Sequence, residues 1–257
     1  MLALINPLIE NMKPDYEEAI KVGNEIIKLY PKNDKVYTAL GICYEAVGNV
    51  DKAYDCYSLA YKYNPKNGLA VYYLGICYYE GLKVEKNYKK AIEYFEIAVK
   101  NNCPEGYLDL SRIYMDPNSN MQNTQKSFEY AKKAYEAGLG EGRGLMAIYY
   151  ILIDKEYKKA YDLLKDSKRN TRLELQAYAE LFYNGYYVQE NYNIAFQSYL
   201  KASKIKMTKS LQFALGRCYY FGHGVEQDKE KAHDLIYLSA KKGFKPAINF
   251  INEFFKK

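Results

Sequence analysis

The sequence predicts an all-α, right-handed solenoid: a superhelix of about six helix pairs closed by a C-terminal capping helix. Three observations predict it. The stretch Ala214–Gly243 reads as helix, Gly-bearing turn, helix, and its spacing of small and aromatic residues recurs at least four more times upstream. Between the turns, apolar residues fall on one face at helical spacing. After Gly243 comes one more amphipathic segment with no helix to pair with.

The elements follow in order. Residues 1–32 form an N-terminal helix or half repeat, beginning with a short apolar helix over residues 1–12. Over 15–30, Tyr16, Ala19, Ile20, Gly23, Ile26, Ile27 and Tyr30 share one helix face, with Pro14 at its start and Pro31 ending it. In 33–67, Tyr37, Leu40, Gly41 and Tyr44 mark a first helix, Gly48-Asn49 a turn, and Ala53, Tyr57 and Ala60 a second helix closed by Pro65. Residues 68–103 repeat this with Leu74, Gly75, Tyr78, Lys90, Ala91 and Tyr94, across a longer turn, E-G-L-K-V-E-K-N. In 104–139, Leu110, Ser111, Tyr114, Lys126, Tyr130 and Ala134 hold register. The turn there, D-P-N-S-N-M-Q-N, has lost its Gly and Val, which predicts a more mobile loop. Residues 140–170 carry Met146, Ala147, Tyr150 and Ala160 around a short turn at Asp154. Residues 171–206 carry Tyr178, Ala179, Phe182, Gly185, Val188, Asn191 and Ala195. Residues 207–243 complete the array, and 244–257 form the cap through Phe244, Ala247, Ile248, Ile251, Phe254 and Phe255.

Residues 33–67 resemble a tetratricopeptide repeat (TPR), a helix–turn–helix unit of about 34 residues. The longer-turned units resemble its close relative, the Sel-one-like repeat (SLR), whose pattern is L-G-x-x-Y-x-x-G-x-G-V-x-x-D-x-x-K-A. Leu215, Gly216, Tyr219, Gly222, Gly224, Val225, Asp228, Lys231 and Ala232 meet it almost fully. The unit at 68–103 departs with Lys83 and Asn87, where the family has Gly and Asp. The resemblance covers residues 15–257 and implies a TPR-like scaffold or adaptor. Some SLR proteins are secreted, carry paired cysteines in each unit and are linked to β-lactam chemistry. This chain lacks the paired Cys and the S-x-x-K pattern, so that activity is not carried over.

The repeated residues have structural reasons. Gly41, Gly75 and Gly216, with Ala53, Ala91 and Ala232, are expected where helices cross closely, with Tyr44, Tyr78, Tyr114, Tyr150 and Tyr219 filling the space beside them. The turn glycines supply positive φ. Asn191 and Asp228 are placed to cap second helices. Cys43, Cys77 and Cys218 fall in one slot of the repeat and read as small buried apolar residues, too far apart for disulfides.

The totals exclude several classes. Apolar residues make up 49%, which is globular. The net charge of +6 is mild, the cations are nearly all Lys with five Arg, and there is no dense basic stripe of the kind that marks a nucleic-acid binder. The N-terminus has no basic region ahead of an apolar run, and Leu145–Ile153 is too short to cross a bilayer. The chain therefore reads as soluble and cytoplasmic. His223 and His233 are the only histidines and read as surface residues. No C-x-x-C pair, Walker motif or nucleophile–base–acid set is present, so neither a metal nor a cofactor is expected.

Function is then expected on the inner, concave face, lined by the first helix of each pair. That face reads Thr38, Ile42 and Glu45, then Tyr72, Ile76 and Tyr79, then Leu108, Arg112 and Met115. It continues with Ile148 and Ile151, then Gln176, Glu180 and Tyr183, then Phe213, Arg217 and Tyr220. Tyr and Arg are favoured at binding hot spots. The partner-binding candidates are Tyr72, Tyr79, Arg112, Met115, Tyr183, Phe213, Arg217 and Tyr220, acting on a peptide or protein partner. Thr38 and Ile42 do not supply the Lys/Asn carboxylate clamp of chaperone-binding TPR domains. The expected function is a non-catalytic interaction scaffold. The alternatives are an enzyme built on the solenoid, marked by a clustered His–acid pair, and a nucleic-acid binder, marked by a continuous Lys stripe.

Overall fold

A computed structural model describes residues 15–255, so the helix expected over residues 1–12 lies outside the described residues. Fourteen α-helices and no strand occur among them. The chain divides into two compact units, residues 1–127 and 128–257. The boundary falls inside one helix of the 104–139 repeat rather than between repeats.

The first unit holds α1 (Tyr16–Leu29), α2 (Asp34–Ala46), α3 (Val50–Tyr63), α4 (Gly68–Glu80), α5 (Tyr88–Lys100) and α6 (Glu105–Met115), followed by the first residues of α7 (Thr124–Glu136). The second holds the rest of α7, then α8 (Gly140–Tyr149), α9 (Tyr157–Leu164), α10 (Arg172–Tyr183), α11 (Tyr192–Ile205), α12 (Lys209–Phe221), α13 (Lys229–Lys241) and α14 (Lys245–Phe250). The expected cap is thus one short helix, α14, continued by a wide π-type turn, Ile251–Phe255.

Within a pair, the crossing is set by small residues, but the filler differs from expectation. A Cβ on Gly41 would strike the Tyr57 ring. On Gly75 it would lie 2.6 Å from the Phe95 ring, and on Gly216 2.6 Å from Ile236. The space beside each glycine is therefore taken by a side chain of the second helix, not by Tyr44, Tyr78 or Tyr219. In the third repeat the two small slots are Ser111 and Ser127. Both are buried, and the Ser127 hydroxyl donates to the Ser111 carbonyl at 2.8 Å.

Freed from the crossing, the first-helix tyrosines do something else. Lysines of the second helix lie over their rings: Lys52 over Tyr44 at 5.2 Å, Lys90 over Tyr78 at 5.0 Å, Lys126 over Tyr114 at 5.2 Å, Lys159 over Tyr150 at 5.7 Å and Lys231 over Tyr219 at 4.3 Å. The carbonyls of Tyr44, Tyr78, Tyr114, Tyr150, Phe182 and Tyr219 accept the backbone N–H of Asn49, Asn87, Asn123, Glu156, Asn191 and Asp228 at 2.8–3.0 Å. Asn49, Asn87, Asn123, Asn191 and Asp228 in turn accept the backbone N–H three residues on, capping the second helix at 2.9–3.2 Å.

That bond pattern explains how turns of different length serve one purpose. Gly81, Gly185, Gly222 and Gly224 take the expected positive φ, and Lys83, at φ 59°, and Tyr187, at φ 65°, adopt the same left-handed backbone as Gly224. The Gly-less turn after α6 is bonded through its own side chains. Asp116 Oδ1 accepts the Asn118 N–H at 2.9 Å, and the Ser119 hydroxyl donates to the Asp116 carbonyl at 2.8 Å. All five cysteines are free and buried, as expected for the slot of Cys43, Cys77 and Cys218.

Candidate functional site

In the second unit, α8, the π-type turn Tyr150–Asp154, α10, α12 and the start of α14 enclose a groove of about 450 Å³. Its floor is apolar: Ile148, Ile151, Leu152, Ala177, Phe213, Ala214, Phe244 and Pro246. Four polar residues, Gln176, Glu180, Ser210 and Arg217, share the lining. Gln176 and Glu180, like Phe213 and Arg217, stand four apart on one helix, so each pair shares a face.

Arg217 is the most constrained of these. Its guanidinium carbon sits 4.5 Å from the Tyr183 ring centre and 5.1 Å from that of Phe213. Burial works against its charge, but Glu180 and the Tyr183 and Tyr199 hydroxyls keep its pKa above the ordinary arginine value. Its Nε is buried without a hydrogen-bond partner among the described residues, as is the Tyr199 hydroxyl. The Glu180 carboxylate accepts the Asn184 amide at 3.2 Å. Gln176 donates to the Ser210 hydroxyl at 3.4 Å, which ties α10 to α12 along the groove.

Of the sequence-derived candidates, Phe213 and Arg217 line this groove, together with Ile148, Ile151, Gln176 and Glu180 of the first-helix face. Tyr183 is buried. Its hydroxyl lies 3.1 Å from Nδ1 of His223 and its ring supports Arg217, so it positions rather than presents. Tyr220 joins the C-terminal aromatic cluster, edge-on to Phe250 at 5.2 Å. Ser210, Leu152, Phe244 and Pro246 were not foreseen. The last two depend on how α14 folds back, which no repeat period encodes.

In the first unit, Tyr72 and Arg112 meet on a residue the periodicity did not single out. The Tyr72 hydroxyl donates to Asp109 Oδ2 at 2.9 Å and Arg112 Nη1 to Asp109 Oδ1 at 2.7 Å, while Asp109 itself is buried. Burial first, then Asp109, drives the Tyr72 phenol above its ordinary range. Burial, with Glu80 and Asp109, pushes Tyr79 up to about 12. Tyr79 packs edge-on against Tyr88 at 5.9 Å, and Met115 ends α6 half-buried. Tyr72, Tyr79 and Arg112 thus share a neighbourhood, with Asp109 satisfied at its centre.

His223 is half-buried: its ring stacks on Tyr192 at 3.7 Å, and burial lowers its pKa. His233 is exposed and lies against Tyr237 at 4.2 Å. Among the described residues no three His, Cys, Asp or Glu side chains converge as a metal site. A larger hollow of about 800 Å³ over α13 and the C-terminal turn is lined by His233, Tyr237, Leu238 and Ile251, among others, and by none of the partner-binding candidates. No helix of the described residues is long and apolar enough to cross a membrane.

Helix pairs crossing on small residues and leaving a first-helix groove define a helical-repeat protein of the solenoid class. The Sel1 repeat model matches residues 68–103, 104–139, 176–204 and 210–244, more than half of the chain, and the chain belongs to the Sel1 repeat family. An uncharacterized protein of Neisseria meningitidis serogroup B is 29% identical over 149 residues, 56% of this chain and 31% of that protein, so the chain spans about a third of that relative's length. A Sel1 repeat protein from Oxalobacter formigenes superposes with a TM-score of 0.65 at 16% identity, covering 86% of this chain and 96% of that one. The APC/C hetero-tetramer Cut9–Hcn1 gives a TM-score of 0.64 at 14% identity, covering 93% of this chain and 46% of that chain. At these identities the two structures share the fold alone.

Proposed function

We propose that this chain is a non-catalytic interaction scaffold that holds a peptide segment or partner protein in the first-helix groove of its second unit. The observation that carries the reading is the groove itself. It is an apolar floor with a few polar groups, among them an arginine resting against two aromatic rings. The family supports the class, since repeats of this kind serve as adaptors, and Cut9–Hcn1 is a fold relative that works within an assembly. The Tyr72–Asp109–Arg112 cluster of the first unit is a second candidate surface. Five free, buried cysteines fit a reducing compartment, so the reading includes work in the cytoplasm.

The test is affinity capture from cells of the source organism with three baits: the unaltered chain, Phe213→Ala/Arg217→Ala and Tyr79→Ala/Arg112→Ala. We expect the first variant to lose the specific partners that the unaltered chain retains. Retention of every specific partner by both variants sinks the reading.

A further inference from the structure

We infer that the groove of the second unit takes an acidic segment of a partner protein, with an aliphatic side chain on the apolar floor and a neighbouring Asp or Glu carboxylate seated on Arg217. This rests on the reading of the groove as the partner site and adds the chemistry of what enters it.

Three observations carry it. The first is the state of Arg217. Two ring faces hold its guanidinium, no hydrogen bond satisfies its buried Nε among the described residues, and the side chain lines the groove. Nε itself is closed off, so an incoming ligand meets the rest of the half-buried guanidinium, and a carboxylate is the group that best matches it, through charge-assisted hydrogen bonds. Contact with the Tyr183 and Phe213 rings restrains the guanidinium before any ligand arrives, which lowers the ordering cost of binding.

The second observation is the distribution of charge. The second unit carries 22 Lys and Arg against 15 Asp and Glu, whereas the first carries 15 against 16. The net +6 of the chain is therefore a property of the unit that holds the groove. Such a field draws acidic segments toward it and discourages basic ones.

The third is Glu180, on the same lining. Its carboxylate is engaged by the Asn184 amide and acts on Arg217 through space. A second ligand carboxylate beside Glu180 would be repelled. This favours a segment with a single acid flanked by aliphatic residues, which Ile148, Ile151 and Phe244 are placed to receive.

The test uses three fluorescein-labelled peptides, Gly-Ser-Leu-Leu-Glu-Leu-Gly-Ser and its Gln-for-Glu and Lys-for-Glu counterparts, titrated with the full chain at low salt and read by anisotropy. The Glu peptide should bind at least about tenfold more tightly than the Gln peptide, and the Lys peptide most weakly. Arg217→Gln should erase the Glu-over-Gln preference, whereas Phe213→Ala should weaken all three peptides alike. The comparison among peptides on the unaltered chain does not depend on any variant folding. Equal binding of the Glu and Gln peptides, a preference that survives Arg217→Gln, or no binding of any peptide at millimolar concentration overturns the inference. If cellular partners are still lost from Phe213→Ala/Arg217→Ala, the scaffold reading stands while the acidic preference falls.

Discussion

At the scale of single residues, the helix crossings turn on which atoms meet. Gly75 faces the edge of Phe95, a ring with no solvent exposure and no room to withdraw. Gly75→Ala adds helix propensity worth about 1 kcal/mol, but the overpacked crossing costs about 1–3 kcal/mol. The net effect should be a lower urea midpoint, measured by far-UV circular dichroism; a midpoint equal to or above that of the unaltered chain would show that the crossing gives way. The small residue itself was legible from the repeat period. The ring opposite it was not, because that depends on the angle at which α5 crosses α4. The same limit applies to the site. Phe213 and Arg217 could be read from helical spacing, but their junction with Tyr183, and the meeting of Tyr72 and Arg112 on Asp109, belong to the packing of neighbouring helices.

At the scale of the element, five of the helix pairs are joined by a small circuit, the exception being the pair capped at Glu156, which has only the backbone bond. The first-helix aromatic gives its carbonyl to the cap residue, the cap side chain holds the N–H three residues on, and in four repeats that third residue is a lysine lying over the same aromatic ring. The repeat at 171–206 has Ile194 in place of the lysine and depends on Asn191 for its cap. Asn191→Ala should therefore destabilise the chain by about 1 kcal/mol, seen as a lowered thermal midpoint, and Asn191→Asp should restore most of it; an Ala variant with an unchanged midpoint would mean the backbone bond to Phe182 suffices. The same circuit closes the loop over 116–123, although its sequence has lost the Gly and Val of the other turns. Length and glycine content were visible in the sequence. The closing bond from Asn123 to the Tyr114 carbonyl, at 2.8 Å, was hidden because it joins backbone atoms.

At the scale of the whole molecule, the abundance of buried weak acids gives an alkaline limit to stability. Burial is the leading cause in raising the thiols of Cys77, Cys103 and Cys218 from 9.0 to about 12, and the phenols of Tyr79 and Tyr183 from 10.0 to about 12. The folded chain holds these protons to higher pH than the unfolded chain. Their stabilising effect is therefore complete below about pH 9 and is lost progressively as the pH rises toward 12. Thermal midpoints in reductant should be level from pH 7 to pH 9 and fall above it; a level profile to pH 11 would contradict the burial of these groups. The fold class was legible in the sequence because one period repeats along nearly the whole chain. The division into two units was not, since it falls inside α7, where the repeat pattern continues without a break.

The lysines over the tyrosines also bear on how the protein can be handled. Coupling chemistry aimed at surface amines, of the kind used to fix proteins to sensor chips or attach dyes, treats lysines as inert handles. In this chain five of those handles are struts of the helix pairs, and acylating them removes the cation from the ring it rests on. Attachment through an added terminal tag leaves the struts in place.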